Sequence, residues 1–190
     1  MNIELSWDIF IVSLLVLIVV YSFIIGVNRT IKTIIATYLG ILSADGLGNI
    51  VDQFFLSSPK VTAGLKVFNL SGFADSLINL KIIIFLSVLV LITIKGPFEV
   101  NIESFRFKIL NGLSHAWFTV LSSTLIISTV LVYLGGSSLI QGVAQESNLV
   151  EIYTQSKNVR LMIDYYNFWF SLPVISVILF SFMSSNEEII

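Results

Sequence analysis

The chain has no cysteine. That excludes disulfides, thiolate metal sites, a cysteine nucleophile and lipidation of an N-terminal cysteine. Charge is scarce as well: Asp, Glu, Lys and Arg make up 12% of the 190 residues, against about 25% in soluble globular domains. A chain this short has too much surface for so few charges to cover, so water is not expected to be its only solvent. The charges sum to −2 and form no basic block, which excludes the clustered Lys and Arg of a nucleic-acid footprint. A single histidine, His115, has no second histidine or nearby carboxylate with which to complete an ordinary metal site or a hydrolytic triad. A phosphate-binding glycine loop and a His-Glu-x-x-His pair are also missing. The expectation is a protein with no catalytic residue, no metal and no cofactor.

What is present is apolar: 56% of the residues are hydrophobic, against about 45 to 50% in ordinary domains. The leading segment "MNIELSWD" carries Glu4 and Asp8 where a secretory signal needs positive charge, and no small-residue cleavage site follows. It is expected to stay attached as a membrane segment.

From Ile9 to Val27 runs an uncharged stretch of 19 residues, about 28 Å long as a helix and close to the roughly 30 Å hydrocarbon thickness. This is the first expected span, with Trp7 just outside it at headgroup level. Only "NRT" and Lys32 then separate it from the next apolar run, Ile31 to Val51, so a tight helical hairpin is expected with Arg29 and Lys32 at a cytoplasmic turn. Asp45-Gly46 is a turn signal that would end the second helix too early to span; if the helix continues, Asp45 lies within the hydrocarbon. Residues 52 to 80 read as an extracytoplasmic connection, with helix starts at Pro59 and Ser71.

A third span is expected over Leu80 to Phe98, with Lys81 and Lys95 snorkelling outward from its ends and Gly96-Pro97 breaking it. After Glu103, Arg106 and Lys108 comes a fourth span from Ile109 to Leu134. The two short connections proposed as inner, 28 to 32 and 95 to 108, hold five Lys and Arg, as many as the far longer remainder. This bias favours an outside N-terminus and an outside tail. The expected architecture is thus an all-α, polytopic helical membrane protein with a four-span domain over residues 1–134. A tail follows over 135–190, holding a hydrophobic amphipathic or re-entrant segment at 167–183. That segment either spans, lies in the interface or packs back on the bundle, and the interface or re-entrant form is preferred.

Ala36, Gly40, Ala44 and Gly48 recur at every fourth position and share one stripe of the second helix. In lipid, close backbone approach through small residues is a main route to helix association. The stripe serves either an oligomer interface or, more simply, packing within the chain. Gly112 and Ala116 repeat the spacing on the fourth helix, where a facing contact is expected. Asp45, the one acid expected inside a span, costs about 2.5 to 3.5 kcal/mol there; it is a candidate proton or ion site paired with a basic residue, or else an interfacial turn residue. His115 is expected to make a structural hydrogen bond. The hydroxyls of "TVLSSTLIIST" are expected to bond to their own helix or a neighbour.

The order of features resembles the colicin V production protein family of small bacterial inner-membrane proteins. The aspartate at the head of that family's first span is matched by Asp8 in "SWDIFIV". Its closing Gly-x-x-Arg-Gly reads "GVNRT" here, with Gly26 and Arg29 matching and Thr30 in place of the second glycine. The glycines that open the last span correspond to Gly112 and, in place of the second, Ala116, and "FWFSLPVISVI" is similar to a Trp-x-x-Ser segment followed by proline. The resemblance implies a multi-pass protein of the bacterial cytoplasmic (inner) membrane. It would serve the production or export of a peptide toxin and envelope homeostasis as a non-catalytic accessory or scaffold. Its partners would be the lipid bilayer and a second copy or another membrane protein, with Arg29 anchoring the turn to phosphate headgroups or a partner. The alternative is a small transporter or channel subunit using Asp45. A third class, an intramembrane enzyme, would depend on His115.

Overall fold

The computed structural model describes residues 7–51, 53–54, 73–96, 99–100, 108–135, 153–154 and 156–185. They form six helices, with no strand among the described residues: α1 (Trp7–Ile25), α2 (Val27–Val51), α3 (Phe73–Lys95), α4 (Lys108–Leu134), α5 (Lys157–Asp164) and α6 (Tyr166–Ser185). The expected helix starts at Pro59 and Ser71, and the charges at Glu103 and Arg106, lie outside the described residues. Helices α1 to α4 are long and apolar enough to cross a membrane, and the chain is an all-α, multi-pass helical membrane protein.

Burial divides these four helices by role. In the apolar window of α4, 78% of residues are buried inside the protein, against 11% in each of the windows of α1 and α3. The fourth helix is therefore the axis of the bundle. Its flanking helices turn Val16, Leu17 and Ile24, and Ile83, Leu91 and Ile94, outward. In water such faces would be a liability, but lipid tails solvate Leu and Ile as well as a protein interior does.

The hairpin between α1 and α2 is tighter than expected. A single residue, Gly26, makes the turn, and it does so at φ +87°, a left-handed conformation that costs other L-residues about 1–2 kcal/mol. Thr30 completes the turn by donating from Oγ1 to Ser22 O at 3.2 Å and to Gly26 O at 2.9 Å. Arg29 and Lys32 consequently sit in the first turns of α2 and not in a loop.

Asp45-Gly46 does not end α2, which continues to Val51. The reason is packing against α3. A Cβ at Gly40 would lie 3.0 Å from Phe85 Cδ2 and 3.1 Å from Phe85 O, and one at Gly48 would lie 2.5 Å from Lys81 Cε. The small stripe seats α2 directly on α3, and Ala36 and Ala44 share a core with Ile41, Phe85, Leu89 and Tyr133. The expected facing contact at Gly112 is not formed: Gly112 is exposed and a Cβ there would meet nothing within 4 Å, while Ala116 is half-buried.

Helix α3 begins earlier than expected, at Phe73, and ends at Lys95, before Gly96. Residue pairs across the bundle give the directions. Gly48 with Lys81 and Gly40 with Phe85 make α3 antiparallel to α2; Ile11 packs with Ile127 and Leu131, while His115 reaches Ser22, so α1 and α4 are antiparallel too. One end of the bundle thus carries Gly26, Gly96 and the start of α4; the other carries Asp8 and the end of α4.

The tail does not lie flat on this bundle. At the Asp8 end, α5 inserts Val159, Met162 and Ile163 into a core with Ile11, Ile127 and Leu131. It then bends by 61° into α6. Helix α6 runs back along α4: Trp169 packs against the core that holds Leu131, Trp117 Nε1 donates to Ser176 Oγ at 3.1 Å, and the rings of Phe118 and Phe180 lie 4.9 Å apart. Segment 167–183 therefore packs lengthwise on the bundle, and its far end lies with Gly26, which corrects the expectation of a tail left at the opposite side.

Candidate functional site

The two residues singled out as ligand candidates, Asp45 and Arg29, are not one site. Sixteen residues separate them on α2, about 24 Å along the axis at about 1.5 Å per residue. Each end of the helix has its own polar centre.

At the Asp8 end, Asp45 is 3% exposed and its Oδ1 lies 3.5 Å from Lys81 Nζ. This distance makes an ion pair, longer than the roughly 2.7–2.9 Å of a charge-assisted hydrogen bond. Tyr133 stands beside the carboxylate and donates its hydroxyl to Ile41 O at 3.2 Å. The pair joins α2 to α3, and the tyrosine brings in α4. Lys81 thus turns inward, against the expectation that it would snorkel out; a carboxylate buried two turns from the helix end is a stronger attraction than a distant headgroup layer. Sequence reasoning missed Lys81 and Tyr133 as partners because the pairing depends on which face of α3 meets Gly48.

At the Gly26 end, three donors converge on Ser22 O: Gly26 N, Thr30 Oγ1 and His115 Nε2, each at 3.2 Å. A carbonyl can only accept, so the His115 ring carries its proton on Nε2 in this contact. The ring also lies 4.7 Å from that of Phe23, and the expected structural hydrogen bond of His115 is the one observed. Beside this junction lies a cavity of about 420 Å³ between α1, α2 and the end of α3, lined among others by Tyr21, Ile25, Arg29, Lys32, Thr93 and Glu99. Lys32 Nζ donates to Gly96 O at 3.0 Å, which fixes its ammonium at the rim.

Asp8 lies at the opposite end from Gly26, Arg29 and Gly112, so the residues that carry the family resemblance do not converge. Asp8 Oδ1 accepts from Ser156 Oγ at 2.6 Å and from Asn158 N at 3.2 Å. Ser156 in turn caps α5 by accepting from Val159 N at 3.1 Å. The first helix is thereby clasped to the tail, a link invisible in sequence because 148 residues separate its partners. Outside the spans, Tyr153 donates to Asp164 Oδ1 at 2.7 Å; that bond to a carboxylate holds its phenol pKa above the usual value.

Half of the six hydroxyls in the α4 row turn on their own helix: Ser123 donates to Thr119 O, Thr124 to Val120 O and Thr129 to Leu125 O, while those of Thr119 and Ser122 are buried with no hydrogen-bond partner among the described residues. Ser128 crosses instead to Met162 O at 3.0 Å. No family model matches the chain, and no curated protein or solved structure matches it either.

Proposed function

We propose that the chain is a non-catalytic accessory or scaffold protein of the bacterial cytoplasmic membrane, of the colicin V production type. In this reading it serves toxin production or export and envelope homeostasis by associating with a second copy or another membrane protein. The supporting observation is how the buried polar groups are used. Lys81 holds Asp45, Tyr133 holds Ile41 O, Tyr38 Oη donates to Phe170 O, His115 holds Ser22 O and Ser128 holds Met162 O. Each of these links joins two helices. Groups engaged in this way make a bundle rigid, and they leave the outward faces of α1 and α3 as the surface available to a partner. The test is crosslinking in native membranes from photoreactive residues at Leu17 and Leu91. Defined protein adducts are expected, and adducts to lipid alone at both positions would overturn the scaffold reading.

A transporter or channel subunit is the second reading, favoured by a buried charge pair between two of the helices long and apolar enough to span a membrane. Replacing Asp45 by Asn alone is a poor discriminator, because it strands a buried Lys81. The paired change Asp45→Asn with Lys81→Met removes both charges. A scaffold keeps its adducts and abundance after that change, whereas an ion-coupled carrier loses its flux.

A further inference from the structure

We propose that the cavity at the Gly26 end binds the headgroup of a phospholipid that carries a primary ammonium beside its phosphate. The inference rests on the membrane-spanning arrangement of the helices and not on the scaffold role.

The cavity has the mixed chemistry of such a headgroup. Two cations, Arg29 and Lys32, and one carboxylate, Glu99, line the same space of about 420 Å³, a size within the roughly 300–1,000 Å³ usual for small-molecule sites. Among the described residues the one ion pair is Asp45 with Lys81, so Arg29 and Glu99 share the cavity without neutralising each other. Lys32 is held in place by Gly96 O, and Arg29 presents a planar fork of donors suited to phosphate oxygens. Thr93 also lines this cavity, although its Oγ1 is itself covered and has no hydrogen-bond partner among the described residues.

The remaining walls fit the rest of the lipid. Tyr21 and Ile94 are exposed on the outward faces of α1 and α3, and Ile25 stands beside them. The cavity therefore opens toward the hydrocarbon as well as toward the polar end. A phosphate on Arg29 and Lys32 with an ammonium on Glu99 leaves the glycerol and acyl chains against these apolar side chains. A choline headgroup has no N–H to donate to Glu99, and a glycerol headgroup has no cation.

The test adds phosphatidylethanolamine, phosphatidylglycerol or phosphatidylcholine to the purified full-length protein in detergent and reads retained lipid by native mass spectrometry. Phosphatidylethanolamine is expected to be retained about tenfold over the other two, the worth of one charge-assisted contact. Glu99→Gln should erase that preference while phospholipid binding persists, and Arg29→Gln should lower retention of all three about tenfold. Equal retention of the three lipids by the native protein, or a preference that survives Glu99→Gln, overturns the proposal. Both side chains are exposed, so the variants should fold. Should Arg29→Gln aggregate, Glu99→Gln decides alone. Soluble glycerophosphoethanolamine separates the two sources of the same chemistry: it should fail to displace the lipid at equal concentration, and full displacement would refute a membrane ligand. Intact protein adducts at Leu17 and Leu91 without lipid preference would sink the site and leave the scaffold role standing, and the reverse result would do the opposite.

Discussion

Gly40 and Lys81 show how single residues set the spacing and the electrostatics of this bundle. Gly40 faces backbone as well as ring atoms of Phe85, so a larger side chain cannot be accommodated by rotating the phenylalanine alone. Gly40→Leu is expected to lower stability by about 1–3 kcal/mol through overpacking, measured as an earlier transition in denaturing-detergent titration; an unchanged midpoint would show that α2 and α3 are not in close contact. Lys81→Met alone leaves Asp45 buried without its cation and should cost on the order of 3 kcal/mol. Adding Asp45→Asn should return most of it. A double-mutant cycle with no coupling would mean that the pair does not hold α2 to α3. The small-residue stripe was legible in sequence, since its four-residue spacing is local. The cation facing Asp45 was not, because a lysine near a helix end reaches outward or inward according to what the neighbouring helix offers.

Helix α5 is an element that cannot stand by itself. Its eight residues are too few for independent stability in water, and two things secure it: the Ser156 cap tied to Asp8, and the apolar side chains Val159, Met162 and Ile163 set between α1 and α4. Ser156→Ala removes the cap and the link to Asp8 together and should cost about 0.5–2 kcal/mol. Faster amide hydrogen exchange over residues 157–164, with the spans unchanged, is the expected signature. Protection equal to the native protein would mean that burial alone holds α5 in place. The four long apolar helices were readable from length and hydropathy, but this short one was not, because its sequence is of mixed polarity and its stabilising contacts come from distant residues.

At the level of the whole molecule, the course of α6 decides on which side the tail finishes. Because α6 runs antiparallel to α4, Asn28 and Phe182 should lie at one end of the bundle and Lys157 at the other. The absence of native cysteine makes this a direct measurement. Single cysteines at those three positions, probed with a membrane-impermeant thiol reagent, are expected to label from one side at 28 and 182 and from the opposite side at 157. Labelling of 182 together with 157 would restore a tail that stays at the Asp8 end. The sequence left this open because 167–183 is of marginal length for a span and carries Pro173, and neither feature says which helix it will lie against.

The sequence by itself determined the solvent, the helical class and the four principal spans, since each follows from runs of apolar residues whose length matches a bilayer and whose backbone bonds close within the segment. It also marked a tight hairpin between the first two spans and α2 as the helix that packs through small residues, while the turn itself proved to be Gly26 alone, with Arg29 and Lys32 already in the helix. Only the tertiary structure decided that Asp45 meets Lys81, that Asp8 holds Ser156, that Arg29, Lys32 and Glu99 share a cavity, and that α6 returns along α4. These are contacts between residues tens to more than a hundred positions apart. Hydropathy says which faces avoid water, but in lipid nearly every helix face is apolar, so the choice of neighbours falls to side-chain shape and to the few polar groups that must find one another.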